Sequence, residues 1–129
     1  MINEKDNIRF VVDDIKKLGG KKIKLIILYG SFAEGKQTSL SDIDLAVYYN
    51  GTKEERFKFR MKILGNVNDK FDIQTFQDLP LYVKKEVLKG KVIYCKESRF
   101  IYELERRTSK EFDDFKHRFY DYIKGGVIA

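Results

Sequence analysis

Several residue types that carry chemistry are almost missing from this chain of 129 residues. Cysteine occurs once (Cys95), proline once (Pro80), histidine once (His117) and tryptophan not at all. One cysteine forms no intramolecular disulfide, and a reducing cytoplasm is the expected setting. With no second cysteine and no cluster of histidines, neither zinc nor a Cys–His nucleophile has support. His117 is expected on the polar side of a helix, and Cys95 as a small buried apolar residue. No apolar run approaches the ~20 residues of a membrane span, and the polar N-terminus has no signal-peptide core, so no membrane role is expected.

What is present is an ordinary globular mixture. Hydrophobic residues make up 43% and charged residues 36%, enough for one folded domain over residues 1–129. The net charge is +6. Lysines gather at Lys16, Lys17, Lys21, Lys22 and Lys24, and again at Lys84, Lys85, Lys89 and Lys91. A solvated surface is the plain reading of these clusters; a triphosphate, an acidic partner or a nucleic acid are the functional ones.

Hydrophobic spacing divides the chain into nine elements. Ile8, Val11, Val12, Ile15 and Leu18 mark a helix over 4–18, with Asn3 as its cap and Gly19-Gly20 as its stop. Residues 24–29 form a strand apolar on both faces. Gly30 opens a short helix that Gly35 ends, and a polar loop leads to a strand over 43–49. Thr52 to Glu55 is a capping box for a helix to about residues 66–68, with Phe57, Met61 and Leu64 as its buried stripe. Residues 71–76 form a third strand. Asp78 and Pro80 open a shorter helix closed by Gly90, and residues 91–95 form the last strand.

From Ser98 to Lys124 one long helix carries Ile101, Leu104, Thr108, Phe112, Phe115, Phe119 and Tyr122 at intervals of three and four, ending at Gly125-Gly126. Its phenylalanines are expected in the core, with part of the stripe available to a partner. The alternation of helices and strands predicts an α/β (α+β) domain with a small mixed sheet flanked by helices.

Two motifs carry the chemistry. Leu28-Tyr29-Gly30-Ser31 is a strand end turning into a helix, where glycine lets a phosphate approach backbone N–H groups. Ser41-Asp42-Ile43-Asp44-Leu45 follows, and its aspartates, two apart, share one face of a strand. Such oxygen pairs suit Mg²⁺, which completes its shell with water and substrate phosphates. Asp72 lies on the third strand, facing away from Phe71 and Ile73, and would join the pair if the strands are neighbours. Asp69 and Asp78 are its rivals, but only Asp72 has strand residues on both sides. Gln74 and Ser39 are weaker candidates for substrate contact.

This constellation resembles the active site of the DNA polymerase beta-type nucleotidyltransferases, and most closely that of the minimal nucleotidyltransferases (MNT). The resemblance implies ATP as substrate, two Mg²⁺ ions on Asp42, Asp44 and Asp72, and phosphates at Gly30 and Ser31. It also implies an antitoxin that transfers AMP to a tyrosine of a HEPN-type toxin. One departure stands out: Phe32 and Glu34 occupy positions where the family often carries Arg, with Lys36 close by as a substitute cation.

The chain is short for a nucleotidyltransferase with its own acceptor-binding domain, which favours a protein acceptor. The alternative is a binding protein that neutralises its partner by contact. Extension of nucleic-acid ends rests on charge alone and ranks last, since no interleaved aromatic and basic residues are seen. A homodimer is left open.

Overall fold

The computed structural model describes residues 4–36 and 42–124. Asn3, Ser39, Ser41 and Gly125-Gly126 therefore lie outside the described residues. In chain order, α1 (Glu4–Gly19) leads through a single 3-10 turn into β1 (Ile23–Tyr29), and α2 (Gly30–Ala33) follows directly. Next come β2 (Ile43–Tyr49), α3 (Lys53–Leu64), β3 (Phe71–Thr75), a second 3-10 turn at Phe76–Asp78, and α4 (Leu81–Val87). The chain then forms β4 (Lys91–Cys95) and α5 (Ser98–Lys124).

The four strands make one mixed sheet in the order β3-β2-β1-β4. The central β1 runs antiparallel to both β2 and β4, while β2 and β3 are parallel. A parallel pair needs a crossover, and α3 supplies it.

Helices cover both faces of the sheet, which explains the unbroken Leu25-Ile26-Ile27-Leu28 run. On one face, Ile8, Val11, Val12 and Ile15 of α1 and Phe59 and Ile63 of α3 pack on Ile26, Leu45, Val47 and Ile73. On the other, Val87 of α4 and Leu104 of α5 pack on Leu25, Ile27 and Ala46. The Thr52 capping box is formed, with Thr52 Oγ1 accepting from Glu55 N–H at 3.2 Å and Glu55 Oε1 accepting from Thr52 N–H at 3.0 Å.

Several expectations need correction. The inward residues of α3 are Phe59 and Ile63; Phe57 and Met61 are exposed and Leu64 is only partly buried. Two arginines set that rotation. Arg56 donates to Gly51 O and pairs with Asp78, and Arg60 Nε donates to the Ile73 carbonyl at 2.7 Å. Those contacts turn the 56/59/60/63 face toward the sheet.

Leu18 is exposed because Gly19 takes the inward place at the end of α1, where an added Cβ would overlap the Ile23 side chain. Gly90 lies beyond α4 and has no positive φ; it is glycine because a Cβ there would strike Leu28 O. Cys95 is half-buried, with its thiol against Glu97 O. The largest departure is in α5, where Leu104 and Thr108 are buried but Phe115, Phe119 and Tyr122 face solvent. The sheet is simply too short to cover a helix of 27 residues.

Candidate active site

The site lies at the end of the sheet where β1 stops and β2 and β3 start. Ile43 and Leu45 point into the core under α1 and α3, so Asp44 between them points to the other face. The same alternation puts Phe71 and Ile73 inward and turns Asp72 and Gln74 to the face of Asp44. Register then aligns them: Asp44 is the Cα partner of Asp72 on one side and of Tyr29 on the other. Tyr29, Asp44 and Asp72 form a row across three strands, each step about 5 Å.

Gly30 completes the row. Its φ is +77°, a conformation that side chains with a Cβ rarely adopt. A Cβ there would also collide with Asp44 Oδ2. Glycine at 30 is thus required twice, by the turn and by the carboxylate packed against it. Beyond it, Glu34 N–H donates to Gly30 O at 3.2 Å and Lys36 N–H to Ser31 O at 2.9 Å, closing the turn.

Negative charge accumulates here. Burial, and then the negative charges of Asp72 and Asp42, push the Asp44 carboxyl up to about 6. Burial, followed by Asp44 and Asp72, pushes the Tyr29 phenol up to about 12, with Arg60 working in the opposite direction. Asp42 itself is exposed at the mouth of the site. Gln74 Nε2 donates to Asp72 Oδ1 at 3.0 Å and fixes that side chain.

All three carboxylates therefore belong to one end of one sheet. Among the described residues, no three His, Cys, Asp or Glu side chains already stand as a preformed metal cage. The donor set nevertheless suits a hard divalent cation, because like charge and burial hold Asp44 in a state that a cation would relieve.

The rival carboxylates have other tasks. Asp78 accepts two hydrogen bonds from Arg56, at 2.9 and 2.8 Å, and one from Thr75 Oγ1. Asp69 is exposed in the turn before β3. His117 sits on the exposed part of α5, 3.6 Å from Asp121. Tyr29, Gln74 and Arg60 are the residues that sequence reasoning missed or set aside. Tyr29 precedes Gly30 directly and Gln74 shares the strand face of Asp72, so both had a local signal. Arg60 had none, since its place depends on how α3 packs.

This chain belongs to the polymerase beta nucleotidyltransferase family, whose pattern it matches over residues 14–99. A curated relative in Methanocaldococcus jannaschii, provisionally named a protein adenylyltransferase, is 40% identical over 74 residues. That alignment covers 57% of this chain and 57% of the relative, so the chain spans little more than half the length of the curated protein it matches.

Solved structures share the fold across nearly the whole chain. A chain of a toxin–antitoxin complex with AMP-PNP is 19% identical with a TM-score of 0.70, over 93% of this chain and 98% of that one. A chain of the complex between tri-AMPylated Shewanella oneidensis HEPN toxin and its MNT antitoxin is also 19% identical, with a TM-score of 0.61, over 94% and 98%. No helix among the described residues is long and apolar enough to cross a membrane.

Proposed function

We propose that this protein is an ATP-dependent protein adenylyltransferase that transfers AMP to a hydroxyl of a partner protein, a tyrosine of a HEPN-type toxin, and so acts as its antitoxin. The observation that carries this reading is the register of Asp44 with Asp72 beside Gly30. The relative's name and the toxin–antitoxin neighbours support the choice of acceptor.

The acceptor oxygen bonds to the α-phosphorus of ATP as the bond to the β-phosphate oxygen breaks, and pyrophosphate leaves. Asp72, oriented by Gln74, takes the acceptor's proton. Backbone N–H groups at Gly30 and Ser31 receive the outer phosphates. Asp42, Asp44 and Asp72 are the residues that would hold two Mg²⁺ ions, which supply neutralisation of phosphate charge when bound. The lone Cys95 supports a cytoplasmic setting.

A second reading, neutralisation of the partner by contact alone, draws on Glu34, an acidic side chain exposed one short helix away from Gly30. The two separate in one assay. The protein is incubated with the product of the adjacent reading frame, α-labelled ATP and Mg²⁺. Transfer predicts label on the partner that disappears with Asp44→Asn. Neutralisation that survives Asp44→Asn without any label would establish contact instead.

A further inference from the structure

The carboxylate row is acidic, so a polyphosphate brought to it needs cations from the chain as well as from metal. The turn itself brings none: Gly30 to Ala33 carry no charge, and Glu34, next along, is acidic. Cations stand across the way. Tyr29, Gly30, Glu34, Glu86, Lys89 and Lys91 border a cavity of about 190 Å³ between the turn after β1 and the segment joining α4 to β4. Lys36, expected to serve this turn, does not border it. Gly90 brings the two lysines close. A Cβ at that position would strike Leu28 O, so only glycine lets residues 89–91 lie against the end of β1. Lys91 is the Cα partner of Leu28, two residues before Gly30.

The cavity also lies on the side that a leaving group would take. In-line transfer sets the attacking and leaving oxygens on opposite sides of the phosphorus. Asp72, which takes the acceptor's proton in the proposed reaction, stands on β3 at one edge of the sheet, and β4 is the opposite edge. From Asp72 the row passes Asp44 and Tyr29 toward the start of β4. The departing pyrophosphate heads for Lys89 and Lys91.

Both lysines are available to it. Lys91 is exposed and pairs with no carboxylate among the described residues. Lys89 Nζ lies 3.1 Å from Glu86 Oε1, with both side chains 66% exposed. An exposed pair of this kind is worth little, so a polyphosphate displaces it at small cost. We propose that Lys89 and Lys91 bind the outer two phosphates of the nucleotide and hold the pyrophosphate as it leaves, with Glu86 restraining Lys89 until nucleotide arrives. This assignment rests on the AMP-transfer reading given above.

Equilibrium dialysis of the full chain with ATP or AMP, in Mg²⁺, tests it through binding alone. AMP carries the α-phosphate and lacks the outer two. Lys89→Ala combined with Lys91→Ala should weaken ATP at least about tenfold and leave AMP within about twofold. Arginine at both positions keeps the charge and should hold ATP within about threefold of wild type. Glu86→Gln frees Lys89 and should tighten ATP about threefold. Lys58→Ala also removes a positive charge, but on α3 and beside Glu54, and should change neither ligand. Lys89 and Lys91 are exposed, so unchanged circular dichroism verifies that the variants stay folded. Equal losses for ATP and AMP, or an equal loss with Lys58→Ala, overturn the assignment. A wild-type chain that binds no ATP overturns it together with the AMP-transfer reading. Unchanged ATP binding by the double alanine variant, with label still passing to the partner, overturns this assignment alone.

Discussion

Asp44 faces Asp72 directly across the parallel β2–β3 pairing, and Gln74, two residues along the same strand, holds Asp72 from behind by a 3.0 Å hydrogen bond. Two acidic groups on adjacent strands with one fixed orientation form a paired site. The dependence on each member is correspondingly sharp.

Removing the charge of Asp44 should abolish AMP transfer. Asp44→Asn keeps the shape but removes an anionic donor, and the rate of label transfer should fall at least about a hundredfold. Labelled partner resolved by gel electrophoresis measures it.

The same substitution should stabilise the protein in the absence of metal and nucleotide. The Asp44 pKa in the folded chain is about 6, above its ordinary 3.8. Its contribution to stability is therefore full below about pH 4 and lost as pH rises through 6. An unscreened shift of that size is worth about 3 kcal/mol. Partial exposure reduces it to about 1 kcal/mol. In chelator, Asp44→Asn should match wild type in denaturant midpoint at pH 4 and exceed it at pH 7.5. Equal differences at both pH values would refute the assignment.

Gly30→Ala should damage fold and site together. The added methyl group meets Asp44 Oδ2, and the positive φ strains the backbone. A loss of about 2 kcal/mol is expected in thermal or denaturant unfolding, with AMP transfer strongly reduced in the fraction that remains folded.

Gln74→Leu separates positioning from binding. Asp72 keeps its charge but loses its tether, so kcat should fall about tenfold while KM for ATP stays near its original value. An equal change in KM with unchanged kcat would assign Gln74 to substrate binding.

Asp78→Asn provides the contrast. This carboxyl is held below the ordinary carboxylate range by its hydrogen bond from Arg56. Its stabilisation is present above the usual carboxylate pKa and disappears as pH falls through the lowered one. The substitution should cost about 1 kcal/mol at pH 7 and leave AMP transfer intact, because Asp78 pins α3 to the end of β3.

Strand positions and the chemical motif were legible because period-two alternation and the Gly30-Ser31 and Asp42/Asp44 spacings are local signals. Asp72 was legible only conditionally: its strand face followed from Phe71 and Ile73, but its neighbour did not. The burial of α3 was hidden because apolar residues occur at 57, 59, 61, 63 and 64, so several faces compete. The choice fell to Arg56 and Arg60, whose partners lie far off in sequence. In α5 the periodicity was correct and its meaning was not, since spacing records which residues share a face and says nothing of what covers it.

Arg60 has one more effect. By donating to the carbonyl of Ile73 it occupies a backbone acceptor of β3, the outermost strand and the bearer of Asp72. An added strand that paired there would have to displace this guanidinium to reach that acceptor. The border of the sheet nearest Asp72 is thus guarded against strand addition at this acceptor.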